Sequence, residues 1–233
     1  MGDDPRGRPP ASDIDCVIVG AGVGGALPAL LLGRSGRRGV VVDARPGVST
    51  RGADFLKPRG LRILAEHGLL DGLRGRGALR GDRIDFFHDG TPLLSFDFAE
   101  HTGLGHYLVV PYAETVGAIL DACAELPNVD VRFGATVVGV EAEGPTVTEV
   151  TLGDGTRLAA RTFVDSSGSA SPLRETAGPK RDVVTYDHVL RMATVPVPPG
   201  ADVRNLPAAR PTPKSADRED QEDQEDREDR ESV

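Results

Sequence analysis

The sequence predicts an α/β fold, a Rossmann-like domain with a parallel sheet and a β-meander, together with part of an inserted sheet and disordered ends. Three observations indicate it. Residues 15–43 read as a strand, a glycine turn, an apolar helix and a strand, and Val129–Phe133 reads as a further buried strand after another helix. Beyond residue 136, short alternating segments are separated by glycine turns. Strands that alternate with helices are typical of parallel sheets, and closely spaced strands with glycine turns are typical of a meander.

The turn after the first strand carries the strongest chemical signal. It reads Gly20, Ala21, Gly22, Val23, Gly24, Gly25. This matches the G-x-G-x-x-G pattern of dinucleotide-binding βαβ units, whose glycines allow a tight turn, the approach of a pyrophosphate and close helix packing. The amides that start the helix then face the phosphates. Asp43, followed by Ala44, ends the second strand, where a carboxylate accepts hydrogen bonds from a ribose hydroxyl and disfavours NADP. The sequence therefore predicts a Rossmann-like dinucleotide site.

One residue opposes this pattern. Pro28 lies past the first turn of the predicted helix. A proline there lacks an N–H and clashes with the preceding turn, which costs about 3 kcal/mol. We expect a kink or a late-starting helix, and weaker binding of the cofactor.

The segment after Asp43 does not continue the alternation of strands and helices. Residues 45–52 read as a loop, and Lys57-Pro58 opens a helix, because proline is favoured in a first helical turn. The predicted strands that follow are short, and the first two form a hairpin around Asp89-Gly90; they span residues 84–87, 93–98 and 108–110. We assign residues 82–111 to an inserted sheet, which in a dinucleotide-binding protein would cover a substrate.

The remaining elements complete the predicted sheet. Apolar residues with a spacing of i, i+3, i+4 and i+7 predict a helix over residues 113–125. The predicted meander strands span residues 137–143, 147–152 and 157–160. Gly153-Asp154-Gly155 is a strong hairpin signal between the last two of them. A buried strand over residues 162–165 then ends in Ser166-Ser167-Gly168.

Composition limits the possible functions. The chain has 233 residues and is 39% hydrophobic, which is enough to bury a core. Residues 1–12 and 199–233 are polar, proline-rich or charged, and we expect both ends to be disordered. Residues 217–231 hold ten acidic residues against three arginines and account for most of the net charge of −9. The rest of the chain has no basic stripe, so we expect no binding of nucleic acid.

The cysteines and the apolar segments indicate the compartment. Cys16 and Cys123 fall in a predicted strand and a predicted helix, without the spacing of a metal or redox site. This indicates a reduced, cytoplasmic protein without a bound metal. No apolar segment is long enough to span a membrane.

The order of these parts resembles the FAD-dependent monooxygenases of the aromatic-hydroxylase type, which are glutathione-reductase-like flavoproteins. Residues 14–178 carry the resemblance. Its marks are the glycine motif, the helix opened by Lys57-Pro58-Arg59, the segment Val109-Val110-Pro111-Tyr112, and residues 163–174, which are similar to the family's second fingerprint. The resemblance implies an FAD-binding domain over residues 13–178 and a truncated substrate-domain strand over residues 179–198.

The sequence departs from the family pattern in three places. Tyr112 stands where the family commonly has an Arg or Gln on the flavin side, and Ser167 stands where it commonly has an Asp. The run from Asp165 to Gly168 is similar to that of flavin-dependent halogenases and geranylgeranyl reductases, which leaves the substrate class open. The family's third motif, a Gly-Asp pair expected beyond residue 200, is absent there, and the charged tail stands in its place. This indicates a truncated or frame-shifted reading of a longer gene.

The resemblance implies an FAD-binding oxidoreductase of the monooxygenase type, truncated and impaired, with NADH or NADPH as reductant and an aromatic or polyketide-like small molecule as substrate. The flavin carries such reactions, so we assign no catalytic residue. Arg51 lies in a loop from which it can reach the cofactor, Val137 meets the adenine by resemblance, and Ser167 and Gly168 belong to the second fingerprint. Two alternatives stay open. One is a non-catalytic dinucleotide-binding remnant, and the other is an NAD-binding dehydrogenase domain, which the meander and Ser167-Gly168 argue against.

Overall fold

The structure is a computed structural model that describes residues 12–50, 52–88, 90–101, 105–144, 146–169, 171–177, 183–186 and 205–208. The strands are β1 (Cys16–Val19), β2 (Gly39–Asp43), β3 (Ala53–Leu56), β4 (Leu79–Gly81), β5 (Arg83–His88), β6 (Thr91–Asp97), β7 (Tyr107–Pro111), β8 (Val129–Phe133), β9 (Val137–Glu143), β10 (Thr146–Leu152), β11 (Arg157–Ala159), β12 (Thr162–Asp165) and β13 (Asn205–Ala208). The helices are α1 (Val23–Arg34), α2 (Pro58–Glu66), α3 (Leu70–Gly75), α4 (Phe98–His101), α5 (Tyr112–Ala124) and α6 (Pro172–Ala177).

A four-stranded parallel sheet lies at the centre of the fold, in the order β12-β1-β2-β8. Every residue of β1 and β2 is buried, and Val17 of β1 pairs with Val40 of β2. Strands buried on both faces read as continuous apolar runs rather than as alternating ones. The predicted α/β class and the predicted third strand, Val129–Phe133, are both confirmed.

Different layers cover the two faces of this sheet. On one face, Ile18 and Val41 pack with Leu30 of α1 and Ile119 of α5. On the other face, Val17 and Val19 of β1 pack against the meander that the sequence predicted. Its strands lie in the order β11-β10-β9. Because side chains alternate across a strand, the same apolar run supplies both cores. Helix α5 starts one residue earlier than the predicted range of 113–125.

Helix α1 is continuous from Val23 to Arg34 with Pro28 inside it, so the prediction of a late-starting helix is wrong. Proline has no N–H, and the carbonyl oxygen of Gly24, four residues earlier, therefore lacks a helical donor. The hydroxyl of Ser166, which follows β12, donates to that oxygen at 3.0 Å. A hydrogen bond from another part of the fold thus replaces the one that the proline removes.

The inserted region forms two small sheets, in the orders β3-β7-β4 and β13-β5-β6. The predicted hairpin is present as β5 and β6. The insertion is larger than the predicted range of 82–111, because β3 and β4 precede that range. The sequence assigned the residues of strand β3 to no element, because they lie between the predicted loop and the predicted helix. The strand forms because it pairs with β7 along its whole length, a contact between segments far apart in the chain.

The predictions for the carboxyl-terminal part need one correction. A strand was expected over residues 179–198; residues 183–186 are exposed and have no regular structure, and the rest of that range lies outside the described residues. Strand β13 joins the inserted sheet and pairs in parallel with β5. Residues 205–208 therefore depart from the expected disorder of 199–233. Ser12, at the edge of the expected disordered segment 1–12, donates to Ala159 O at 2.5 Å. The remaining residues of both ends lie outside the described part.

Candidate dinucleotide site

The glycine turn is shaped by two backbone contacts. Gly20 has φ of +105°, and a Cβ there would collide with the carbonyl oxygen of Ser166 and lie 2.9 Å from the amide nitrogen of Ser167. A Cβ on Gly25 would collide with the carbonyl oxygen of Gly20 and lie 3.2 Å from a methyl group of Ile18. Only glycine fits at these two positions, so the turn has the tight shape that the motif predicts.

The turn presents unpaired amides. The amides of Gly25 and Ala26 donate to the carbonyl oxygen of Gly22 at 3.0 and 2.8 Å, so the helix closes its own first hydrogen bonds. Among the described residues, no acceptor faces the amides of Gly22, Val23 and Gly24. The first turn of α1 also carries no acidic residue. Three free N–H groups at the positive end of a twelve-residue helix form a cradle that fits a pyrophosphate.

The predicted second fingerprint lies against this turn. The amide of Ser166 donates to Val19 O at 2.8 Å, which extends the pairing of β12 and β1. Ser167 and Gly168 follow directly, and Gly168 has φ of +83°. These two residues therefore leave the sheet beside the first glycine of the motif. In the sequence, only the resemblance assigned Ser167 and Gly168 to the cofactor site. In the fold, they lie at the same end of the sheet as the glycine turn.

Asp165 holds that loop in shape. Its Oδ1 accepts hydrogen bonds from the amide of Ser167 at 3.1 Å and from the Ser167 hydroxyl at 2.6 Å, and its Oδ2 accepts from the Ser171 hydroxyl. Burial raises the pKa of Asp165, but these hydrogen bonds and the nearby Arg174 outweigh burial and bring the pKa below its ordinary value. The carboxylate is thus a structural part of the loop.

Asp43 occupies the predicted position at the end of β2, but its acceptor sites are taken. Its Oδ2 accepts from the amide of Ala21 at 2.8 Å and from Nη2 of Arg45 at 2.8 Å. Its Oδ1 accepts from the amide and the Nε of Arg45 at 2.9 and 3.0 Å. Burial raises the pKa of Asp43, but these four hydrogen bonds and the charge of Arg45 lower it below its ordinary value.

Two side chains that the sequence did not single out as site residues join this group. Tyr112, the first residue of α5, places its hydroxyl 2.7 Å from where a Cβ on Gly22 would lie. The hydrogen bonds and the charge of Asp43, and to a smaller extent the nearby Tyr112, raise the pKa of Arg45. The sequence showed that Tyr112 departs from the family pattern. It did not show that Arg45 lies near Tyr112, because that depends on how the loop after β2 folds back.

The other predicted residues lie around the same edge. The amides of Gly134 and Ala135 donate to the carbonyl oxygens of Arg45 and Asp43 at 2.8 and 2.9 Å, which brings the start of β9, and hence Val137, next to the end of β2. Ala44 is exposed at that edge. Arg51 lies outside the described residues.

A cavity of about 730 Å³ opens between β3, the start of α2 and the β5–β6 hairpin. Its lining is mostly aromatic and aliphatic with three cationic side chains: Phe55, Lys57, Pro58, Arg59, Arg62, Ile84, Phe86, Leu94, Phe96 and Phe98. Phe98 contacts Phe96 with ring centres 4.9 Å apart. The sequence predicted a covering hairpin here. The alternation of apolar residues at 94, 96 and 98 was the available signal for the lining.

Two buried polar atoms in this region have no hydrogen-bond partner among the described residues. They are Oδ2 of Asp54, on β3, and Oγ1 of Thr115, on α5. The local sequence does not indicate that these two atoms are buried, because their burial depends on the packing of the inserted sheet against α5. The described residues contain no cluster of His, Cys, Asp and Glu that could hold a metal ion. Within the same residues, no helix has the length and apolar character needed to cross a bilayer.

Comparison with known proteins agrees with this geometry. The model of the family described as FAD binding domain matches residues 13–213. The chain is 31% identical over 181 residues to a para-nitrophenol 4-monooxygenase of Pseudomonas sp. strain WBC-3, covering 75% of this chain and 45% of the relative. It is 30% identical over 190 residues to a 6-methylpretetramide 4-monooxygenase of Streptomyces rimosus, covering 78% of this chain and 44% of the relative. The chain thus spans less than half the length of these relatives.

Solved structures show the same similarity. The structure of Pseudomonas aeruginosa PqsL in complex with 2-aminobenzoylacetate matches with a TM-score of 0.68 and 32% identity, covering 75% of this chain and 48% of that one. The p-nitrophenol 4-monooxygenase PnpA of Pseudomonas putida DLL-E4 matches with a TM-score of 0.67 and 29% identity, covering 75% and 46%. With the glycine turn, the second fingerprint and the inserted sheet in place, this chain belongs to the FAD-binding domain family of the aromatic-hydroxylase-type monooxygenases.

Proposed function

We propose that the chain binds FAD at the glycine turn and serves an FAD-dependent monooxygenase that acts on an aromatic small molecule. The observation that carries this proposal is the short link between the turn and the apolar cavity. Strand β7 ends at Pro111, next to Tyr112, whose hydroxyl lies at Gly22. The same strand pairs with β3, whose Phe55 lines the cavity. One two-stranded unit therefore connects the dinucleotide turn with the space that a ring-shaped substrate would fill.

We assign the cofactor contacts as follows. The amides of Gly22, Val23 and Gly24 hold the pyrophosphate, and the edge formed by Asp43, Ala44 and Val137 faces the adenosine. We assign Ser167 and Gly168 to the side of the flavin half; the role of Arg51, which lies outside the described residues, stays a prediction from the sequence. When bound, FAD would supply the redox chemistry: electrons from NADH or NADPH would reduce O₂ so that one oxygen atom enters the substrate and the other leaves as water. The protein contributes binding, orientation and exclusion of water.

The cavity supports an anionic aromatic substrate. Its aromatic and aliphatic lining favours a flat ring system, and Lys57, Arg59 and Arg62 stand at the helix side without an acidic residue in the lining. Cations at an apolar site favour a phenolate or a carboxylate over a neutral or cationic ligand. The names of the relatives include para-nitrophenol and 6-methylpretetramide, which fits an aromatic or polyketide-like small molecule.

The cysteines support a cytoplasmic location, which stays a prediction. Cys16 and Cys123 are free and buried, and burial raises the pKa of the Cys123 thiol to about 11. Buried, protonated thiols of this kind are typical of proteins from reducing compartments.

The test is a titration of the purified full chain with FAD, followed by its visible absorbance and fluorescence, with NAD⁺ as a competitor. Saturable binding of FAD that NAD⁺ does not displace supports the proposal, whereas displacement by NAD⁺ favours the dehydrogenase alternative. A chain that takes up no FAD would contradict the proposal. Oxidation of NADH stimulated by para-nitrophenol then separates an active enzyme from a non-catalytic remnant that binds FAD.

A further inference from the structure

We propose that the acidic segment after β13, residues 217–231, docks on three cations that line the apolar cavity and competes there with anionic ligands. The cations are Lys57, Arg59 and Arg62. The docking is argued from charge and from the path of the chain, whereas its effect on a substrate rests on the proposed function.

The first step concerns the cations of the cavity. The side chains of Lys57, Arg59 and Arg62 are exposed, and no carboxylate among the described residues pairs with any of them. By contrast, Arg83 on β5 pairs with Asp85 at 2.8 Å. Arg59 and Arg62 are three residues apart on α2, where like charges are neighbours and repel each other. This side of the cavity therefore favours an anion that lies between the two guanidinium groups.

The second step concerns the path of the chain. Strand β13 runs parallel to β5, and its last residue, Ala208, is paired with Phe86. The Phe86 side chain lines the same cavity as the three cations. Residues 209–216 separate β13 from the acidic segment, and eight residues span at most about 30 Å even when extended. The pairing of β13 thus tethers the acidic segment beside the cavity.

The third step concerns the charge of the segment. Residues 217–231 hold ten acidic residues against three arginines, and hence a net charge of −7. A short tether gives a local concentration on the order of millimolar, so that even weak ion pairs are populated. Carboxylates also match the paired donors of a guanidinium group. The segment therefore supplies the cations with the type of group that an anionic ligand would otherwise supply.

The contact is tested by cross-linking the full chain with a carbodiimide, which joins a lysine amine to a carboxylate in direct contact. In the monomeric product we expect a bond between Lys57 and residues 217–231, identified by mass spectrometry after digestion. It should be largely lost in about 0.5 M NaCl, where charges are screened beyond about 4 Å. Lys214, three residues before the segment, is the internal control for reactivity. Lys57→Arg, which keeps the charge and removes the amine, should abolish the product.

The competition is tested with para-nitrophenolate as the probe, titrated into the full chain and into a variant whose ten acids in residues 217–231 are replaced by the matching amides. Exposed ion pairs are individually weak, so we expect the amide variant to bind the probe about threefold to tenfold more tightly. Arg59→Gln combined with Arg62→Gln should narrow this difference. Arg37→Gln combined with Arg38→Gln, at exposed arginines before β2, is the matched control and should leave it unchanged.

Each outcome decides a part of the inference. A cross-link found only at Lys214, or only in a dimeric product, would overturn docking within one chain. Equal affinities of the acidic and the amide variants for the probe would overturn the competition, and so would a lack of binding by both, which would also contradict the proposed substrate class. A chain that gives the Lys57 cross-link but takes up no FAD would support the docking and contradict the proposed function.

Discussion

Two glycines at the start of α1 differ in how closely other atoms approach them. A methyl group on Gly25 would collide with the carbonyl oxygen of Gly20, whereas one on Gly24 would meet nothing nearer than the Ser166 hydroxyl oxygen at 3.7 Å. The two positions are adjacent in the chain and share one helical turn. They therefore form a matched pair in which only one glycine is required by a backbone contact.

We expect Gly25→Ala to lower the free energy of unfolding by about 1–3 kcal/mol, because the backbone of the turn must shift to relieve the overlap. Gly24→Ala should raise it by about 0.5–1 kcal/mol, because alanine restricts the unfolded chain and favours the helix. Urea denaturation followed by circular dichroism measures both. Equal stability of the two variants would mean that the contact between Gly25 and Gly20 does not limit the turn.

A second residue-level prediction concerns Thr115. It is 1% exposed, and its hydroxyl has no hydrogen-bond partner among the described residues. Thr115→Val keeps the shape and removes the unpaired polar atom, so we expect the free energy of unfolding to rise by about 1 kcal/mol. Thr115→Ser, which keeps the hydroxyl and loses a methyl group, is the control. A valine variant less stable than wild type would indicate that the hydroxyl has a partner.

Residues of the site divide into those that the sequence could identify and those that it could not. The glycines and Asp43 follow a fixed local spacing, so a motif finds them. Arg45 follows β2 and Tyr112 begins α5, and both lie near the glycine turn only because β2 and β7 end beside it. Saturation of Asp43 by Arg45 likewise depends on side-chain geometry that spacing does not encode.

At the scale of elements, α1 depends on a partner outside itself. Pro28 leaves the carbonyl oxygen of Gly24 without a helical donor, and the Ser166 hydroxyl donates to it. The helix is thereby tied to the end of β12. This link explains how a residue that opposes the helix in the sequence is tolerated in the fold.

A double-mutant cycle tests that link. Ser166→Ala should lower the free energy of unfolding by about 1 kcal/mol, because it leaves the Gly24 carbonyl unpaired. In a Pro28→Ala background the helix regains its own N–H donor, and the same serine substitution should then have a much smaller effect. Thermal or urea unfolding of the four proteins measures the coupling. Equal effects in both backgrounds would show that the serine does not compensate for the proline.

Elements with strong local patterns were predicted well, and elements that depend on distant partners were not. The buried strands, the helix now bounded by Tyr112–Ala124, the hairpin and the meander all follow from periodicity and turn residues. Strand β3 has only four residues and includes Asp54, so its sequence resembles a loop. Strand β13 contains a proline and lies in a polar region, and it forms through its pairing with β5.

At the scale of the whole molecule, acid should weaken the fold through the hydrogen-bonded carboxylates of Asp43, which is buried, and Asp165, which is exposed. The pKa values of Asp43 and Asp165 lie below the ordinary value of 3.8, because hydrogen bonds to the charged form outweigh burial. The folded state thus binds protons less readily than the unfolded chain. The stability from these groups is fully present above the unfolded pKa and is lost as the pH falls through the folded pKa.

We therefore expect the free energy of unfolding to be nearly constant near neutrality and to fall below about pH 4, as measured by urea titrations at several pH values. Asp165→Asn should be less stable than wild type at neutral pH and should lose less stability on acidification. Asp71→Asn, at an exposed carboxylate, is the control for the removal of one charge. An unchanged acid dependence in Asp165→Asn would show that this carboxylate does not contribute.

The sequence by itself determined the class of the fold, the dinucleotide turn and the order of the sheet, helix and meander segments, because each depends on residues close together in the chain. Burial of β1 and β2 on both faces makes their apolar runs unmistakable. Only the tertiary structure decided how Asp43 is paired, how α1 accommodates Pro28, which strands complete the inserted sheets, and what lines the cavity. Each of these depends on contacts between distant segments, and their energies are set by three-dimensional proximity rather than by local pattern.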